Sequence, residues 1–195
     1  MPNRANLTLR IAEPSDLDQT VAIIREATEW LERQGILWLR EFPGATPQRV
    51  ANGTAWLAYL DGTAEPVATV ALETTADPEF WTPQESNALF VHGLAVRRSA
   101  GGLGVGGKLL EFASDQAARR ALPWIRLDCN KANKQLQEYY LRQGFTYLRT
   151  VNLPHRNSGA LFQKSAERSA AIIADPRSGC IAVNLAEGDD NQLPS

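Results

Sequence analysis

Cysteine is scarce. The 195 residues hold two, Cys129 and Cys180, too few for a disulfide framework, so a reducing, cytoplasmic setting is expected. No apolar run is long enough to span a bilayer, and the opening residues, MPNRANLTLRIAEPSD, lack the long apolar segment of a secretory signal. A membrane partner is therefore not expected. Basic excess is also missing: 20 Lys and Arg stand against 22 Asp and Glu, a net charge of −2. That balance argues against a nucleic-acid partner, which needs cations to release counterions. No group of His, Cys and carboxylate residues has zinc-site spacing, so no metal is expected. There is no internal repeat. The remainder is ordinary for a globular chain, 44% hydrophobic and 22% charged, at a length that suits one domain with a real core.

Periodicity orders the chain. Leu7, Leu9 and Ile11 alternate as in a strand. Ser15 or Asp16 then caps a helix whose stripe is Val21, Ile24, Ala27 and Leu31, with Gly35 as its stop. ILWLREFPGATPQRVANG is irregular or a short helix, TAWLAYLDGTAEPVATVALET reads as two strands about a turn at Asp61-Gly62, and TADPEFWTPQESNA reads as a loop. LFVHGLAV is a strand. GKLLEFASDQAARRAL is a helix ended by Pro123, WIRLDC a strand, and KQLQEYYLRQG a helix capped by Asn133 and closed by Gly144. FTYLRTVNL and GALFQKS form a closing antiparallel pair; CIAVNL can add one more strand, and AEGDDNQLPS has a disordered composition.

Between LFVHGLAV and its helix lie five glycines in seven positions, Gly101 to Gly107. Such a loop commonly holds phosphate, and three readings compete. Gly102 through Lys108 fits G-x-x-x-x-G-K, but Leu109 stands where a nucleotide-triphosphate loop needs Ser or Thr for Mg²⁺. Gly102-x-Gly104-x-x-Gly107 is a formal dinucleotide fingerprint, with Asp128 about 25 residues further on. However, Arg97 through Gly101 separate it from its strand, and an antiparallel pair follows. The third reading is an acyl-CoA loop. A glycine turn that opens a helix presents unpaired amides with the positive end of the helix dipole behind them, so Leu103 to Lys108 can face a diphosphate without a metal.

Residues Val91 to Phe145 resemble the GNAT superfamily of N-acetyltransferases. The strand LAV leads into RRSAGGLGVGGKLL, IRLDC follows in the place of that family's fifth strand, and NKQLQEYYLRQGF matches its Asn-x-x-x-x-x-x-Tyr-x-x-x-Gly-Phe element. One position departs: the family's loop opens with Arg or Gln, and here that place is Gly101, with Arg97 and Arg98 as candidates to supply the missing contact. The resemblance implies an α/β GNAT fold in a single domain, a mixed, mainly antiparallel central sheet flanked by helices. It would span residues 1–165, with 166–195 as a C-terminal extension carrying one extra strand and then disorder.

The resemblance further implies acetyl-CoA as co-substrate. Main-chain groups of Leu94 and Val96 would pair with its pantetheine arm, Asn133 would contact the arm, and Leu103, Gly104, Val105, Gly106, Gly107 and Lys108 would hold the pyrophosphate. Tyr140 would protonate the leaving thiolate. A base is also required; His92, on the strand beside the expected thioester, has suitable chemistry, with Glu73 as a second candidate. Cys129 has no histidine nearby in sequence and reads as a buried structural thiol. Trp30, Trp38, Phe42 and Trp81 fall in the segments that cover the acceptor opening, and Glu29 or Glu32 could meet a cationic amine. The expected activity is acetylation of the amine of a small molecule. Protein N-acetylation and a non-catalytic acyl-CoA-binding module are alternatives, and homodimerisation is left open.

Overall fold

A computed structural model describes residues 6–37, 43–174 and 179–184. Nine strands form one sheet in the order β6-β7-β5-β4-β3-β2-β1-β9-β8. They are β1 (Asn6–Ile11), β2 (Ala55–Leu60), β3 (Ala68–Glu73), β4 (Leu89–Val96), β5 (Trp124–Asn130), β6 (Thr146–Thr150), β7 (Ser158–Ser165), β8 (Ile172–Ala174) and β9 (Ile181–Asn184). Among the described residues, only β4 and β5 are parallel neighbours, and every other pairing is antiparallel. The helices are α1 (Leu17–Arg33), α2 (Thr46–Ala51), α3 (Val105–Arg119) and α4 (Lys134–Arg142).

Strand alternation divides the core into two layers. Leu7, Leu9, Trp56, Ala58, Val70, Leu72 and Leu127 face α3 and α4, meeting Leu109, Phe112 and Tyr139. Their neighbours Ala55 and Leu57 face the other way, onto α1 and α2. Farther along that second face, Phe90 and Leu161 lie under Phe80 and Trp81 from the 74–88 loop. The stripe of α1 differs from the expected one. Its buried positions are Thr20 and Ile23, with Ile24 and Ala27 beside them, while Val21 is half-exposed. Asp16, just before α1, is pinned by Arg10 at 2.6 and 2.8 Å and accepts the Glu13 amide at 2.8 Å.

The 75–88 segment reads as loop in the sequence, yet it is tightly held. Arg149 forks onto Glu85 at 2.6 and 2.8 Å and donates to Phe80 O at 2.9 Å. Arg126 donates to the Glu85 carbonyl. Arg156 takes Asp77 and Glu79 at 2.6 and 2.5 Å. The Arg149 bond holds the Glu85 carboxyl down at about 2.

The described residues after 165 stay on the same sheet. Asp115 of α3, with no exposed side-chain surface, binds Arg119 at 2.5 Å, Arg168 Nε at 3.0 Å and the Ser169 amide at 3.2 Å. Ser169 also donates to Glu111 at 2.5 Å. The chain thus crosses α3 and returns as β8 and β9, with β9 beside β1 (Leu7↔Val183, Leu9↔Ile181). Ile172, Ile181 and Val183 are buried there.

Two outcomes follow. Replacing Asp115 with Ala strands bonds to charged partners, so urea unfolding should show a loss of about 2 kcal/mol, with limited proteolysis cutting first after residue 165. Glu85 titrates far below its ordinary value of 4.5. Its contribution to stability is therefore complete above pH 4.5 and lost as pH falls toward 2. Glu85→Gln should be less stable at neutral pH and flatter across that window; an unchanged acid slope would contradict the assignment.

Candidate functional site

The site begins with a fault in a strand. Along β3, Thr69 pairs with Ala95 and Ala71 with His92, so the single residue Val70 lies opposite two, Gly93 and Leu94. The extra residue is accommodated by Gly93 at φ +55°, a left-handed conformation costly for any side chain. The bulge shifts the alternation: Val91 and Leu94 both face the α3 layer, and Ala95 faces α1. It also turns β4 away from β5. These strands pair only at Leu89↔Ile125 and Phe90↔Arg126, while β5 stays paired to β7 as far as Asn130. From Val91 onward, among the described residues, the β4 edge facing β5 has no strand partner.

A cavity of about 470 Å³ fills the wedge. Leu94, Cys129, Asn130, Leu136 and Tyr140 line it together with Ile24, Thr28 and Leu31 of α1 and Thr46 and Arg49 of α2. Tyr140 is 7% exposed, and its ring packs on Tyr139, Phe145 and Phe162 with centroids 5.6–5.8 Å apart. Burial first, then the neighbouring Cys129, Tyr139 and Asp128, raises its pKa well above 10, so the phenol keeps its proton at any physiological pH. Burial also pushes the Cys129 thiol up to about 12, with Asp128 adding to the shift. That thiol is a poor nucleophile, in keeping with a structural role. Asn133 caps α4, its Oδ1 accepting the Leu136 amide at 3.0 Å, and does not line the cavity. Asn130, which sequence reading passed over, does line it; its Oδ1 accepts the Ala132 amide at 2.8 Å and its Nδ2 donates to Leu37 O at 3.3 Å.

The glycine loop leads from β4 into α3. Gly104 takes φ +71° as the N-cap, with no side chain capping the helix. The first helical bond runs from Lys108 N to Gly104 O at 3.1 Å. The amides of Val105, Gly106 and Gly107 precede it and have no partner within the helix. The expected span of amides, Leu103 to Lys108, is therefore trimmed at both ends: the Leu103 amide turns to Ala100 O at 3.4 Å, the Lys108 amide is spent, and Lys108 Nζ pairs with Glu111 at 2.8 Å. At Gly101 a Cβ would lie 3.1 Å from Arg98 O, a tight contact. Of the substitutes considered, Arg97 is tied to Glu26 at 3.0 Å and Pro66 O at 2.9 Å. Arg98 stacks over Trp30, 4.6 Å from its ring centre. The buried Leu109 side chain, at the position of a Mg²⁺-binding hydroxyl, fits neither the nucleotide-triphosphate reading nor any ligand contact.

Glu73 stands between two partners. Its Oε2 accepts Arg49 Nε at 3.1 Å and lies 3.5 Å from His92 Nε2. All three residues line the cavity. Trp30 does not; it lies beneath Arg98. Trp81 is core, packed on Phe90 at 5.6 Å with Arg126 and Arg149 over its face. Trp38 and Phe42 lie outside the described residues. Glu32 lines the cavity and Glu29 does not. Arg49 was not singled out from the sequence, where nothing distinguishes it from a surface helix arginine.

Comparison with known proteins agrees with this geometry. The model of the acetyltransferase (GNAT) family matches residues 24–145. Among solved structures, a GNAT acetyltransferase from Streptococcus agalactiae superposes with a TM-score of 0.67 at 22% identity, covering 83% of this chain and 96% of that one. One from Listeria monocytogenes gives 0.62 at 22%, covering 80% and 93%. The N-acetylglutamate synthase of Neisseria gonorrhoeae, solved with coenzyme A and N-acetyl-glutamate, gives 0.59 at 23%, covering 83% of this chain and 35% of that one. Among curated proteins none matches. With well over half of its length matched by the family model, a bulged β4 splayed from β5 and a glycine-capped α3, this chain belongs to the GNAT family of acetyl-CoA-dependent acetyltransferases.

Proposed function

We propose that the protein transfers an acetyl group from the acetyl-CoA thioester directly to the primary amine of a small molecule. The observation that carries this reading is the wedge between β4 and β5, whose cavity is lined by both Tyr140 and the Glu73–His92 pair. The pantetheine arm lies along the unpaired β4 edge at Leu94 and Val96 as an added strand, and the amides of Gly104 to Gly107 take the pyrophosphate. The amide near Leu94 polarises the thioester carbonyl.

The steps follow from those positions. The ammonium of the acceptor loses a proton to His92, directly or through water. The neutral nitrogen attacks the carbonyl carbon, the C–N bond forms and the C–S bond breaks. His92 passes the first proton to solvent, the nitrogen's second proton leaves by the same route, and the Tyr140 phenol delivers a proton to the CoA thiolate and is reprotonated from solvent. The high pKa of Cys129 supports direct transfer over an acetyl-cysteine intermediate. The cavity volume of about 470 Å³ falls in the range of small-molecule sites, which supports a small acceptor over a protein.

Titration calorimetry with acetyl-CoA, run beside CoA release against amino acids, polyamines and aminoglycosides, tests the proposal. The expected result is binding together with amine-dependent release. Tyr140→Phe should still bind acetyl-CoA while kcat falls about 100-fold or more. No alkaline limb from this phenol should appear below pH 10. Binding without release from any amine would replace the enzyme with an acyl-CoA-binding module.

A further inference from the structure

We infer that the acceptor amine also carries a carboxylate, and that Arg49 binds it through the two terminal nitrogens of its guanidinium. The inference rests on the reading above, in which this cavity receives an amine. Arg49 stands on α2. Its side chain is 15% exposed, so it does not extend into solvent like an ordinary surface arginine. Nε donates to Glu73 at 3.1 Å. Among the described residues, neither Nη1 nor Nη2 has an acceptor. Nη1 lies 3.9 Å from where a Cβ on Gly93 would stand, so the fork sits over the β4 bulge. Two parallel donors on a cation that lines the cavity form a fork suited to a planar anion.

The other groups in the cavity sharpen the choice. Arg156, the second arginine, has both terminal nitrogens committed to Glu79 and Asp77 at 2.5 and 2.6 Å. Glu73 is shared between Arg49 Nε and the side of His92. One end of this short array is therefore a cationic fork, and the other is a carboxylate beside an imidazole. A zwitterion fits both: its carboxylate takes the fork in bidentate fashion and its ammonium faces Glu73 and His92. Because the two ends belong to one ion pair, the amine and carboxylate of the acceptor are separated by about one or two carbons. An amine without an acid group, such as a polyamine, would instead bring a like charge against Arg49.

The test uses the full chain saturated with CoA. N-acetylated glycine, leucine, phenylalanine, glutamate and lysine are titrated calorimetrically, each as the free acid and as its primary amide. The expected result is that at least one acid binds about tenfold or more tightly than its amide. Arg49→Gln should erase that preference with the Kd for CoA unchanged, and Arg49→Lys should keep only part of it. Equal affinity for acids and amides, a preference that survives Arg49→Gln, or no binding by any acid would overturn the inference. Turnover only of amines that lack a carboxylate would also overturn it while leaving the acetyltransferase reading intact. Failure to bind acetyl-CoA would instead remove that parent reading.

Discussion

Gly93 at φ +55° puts one residue too many into β4, and most of what makes this sheet a site depends on that. A regular β4 would have continued its parallel pairing with β5 beyond Phe90, and the backbone groups of Val91 to Val96 would be spent on a neighbour. With the bulge, the strand bends, its side-chain parity shifts, and one edge is left to pair with something outside the chain. The same shift turns His92 toward Glu73 and Arg49 while Leu94 stays with the α3 layer. The open β4 edge and the placing of His92 are thus consequences of one backbone irregularity.

The rest of the fold holds the wedge open. On one side, α3 is anchored to the sheet by Leu109 and Phe112 and to the later chain by Asp115, which fixes its glycine-capped N-terminus beyond the end of β4. On the other, arginines 126, 149 and 156 hold the 74–88 loop against β5 and β7. Asp77 and Arg156, which line the cavity, are partners in that clamp. The buried Tyr140 is held by three aromatic rings, so its hydroxyl can be positioned without a dedicated hydrogen-bond scaffold.

Much of this was legible in the sequence because it is local. Alternation marked the strands, the glycines marked the opening of α3, and Asn133, Tyr140 and Gly144 marked α4 and its ends. What was not legible is tertiary. Gly93 inside LFVHGLAV is the one signal that could have announced the bulge, since glycine within a strand often marks one. Trp81 lies in a polar, proline-bearing stretch, yet it is core because three distant arginines pull that stretch onto the sheet. Arg49 gains meaning only from Glu73 and Gly93, 24 and 44 positions away. Asp115, an acid on the face of α3 between Ser114 and Gln116, gives no sign that residues beyond 165 will return to cover it.

The most direct measurement is residue-resolved amide exchange by NMR, with and without acetyl-CoA. If the unpaired edge of β4 receives the pantetheine arm and the helix opening receives the pyrophosphate, amides within Leu94 to Val96 and Gly104 to Gly107 gain protection together. Binding that leaves both segments unprotected would contradict the account.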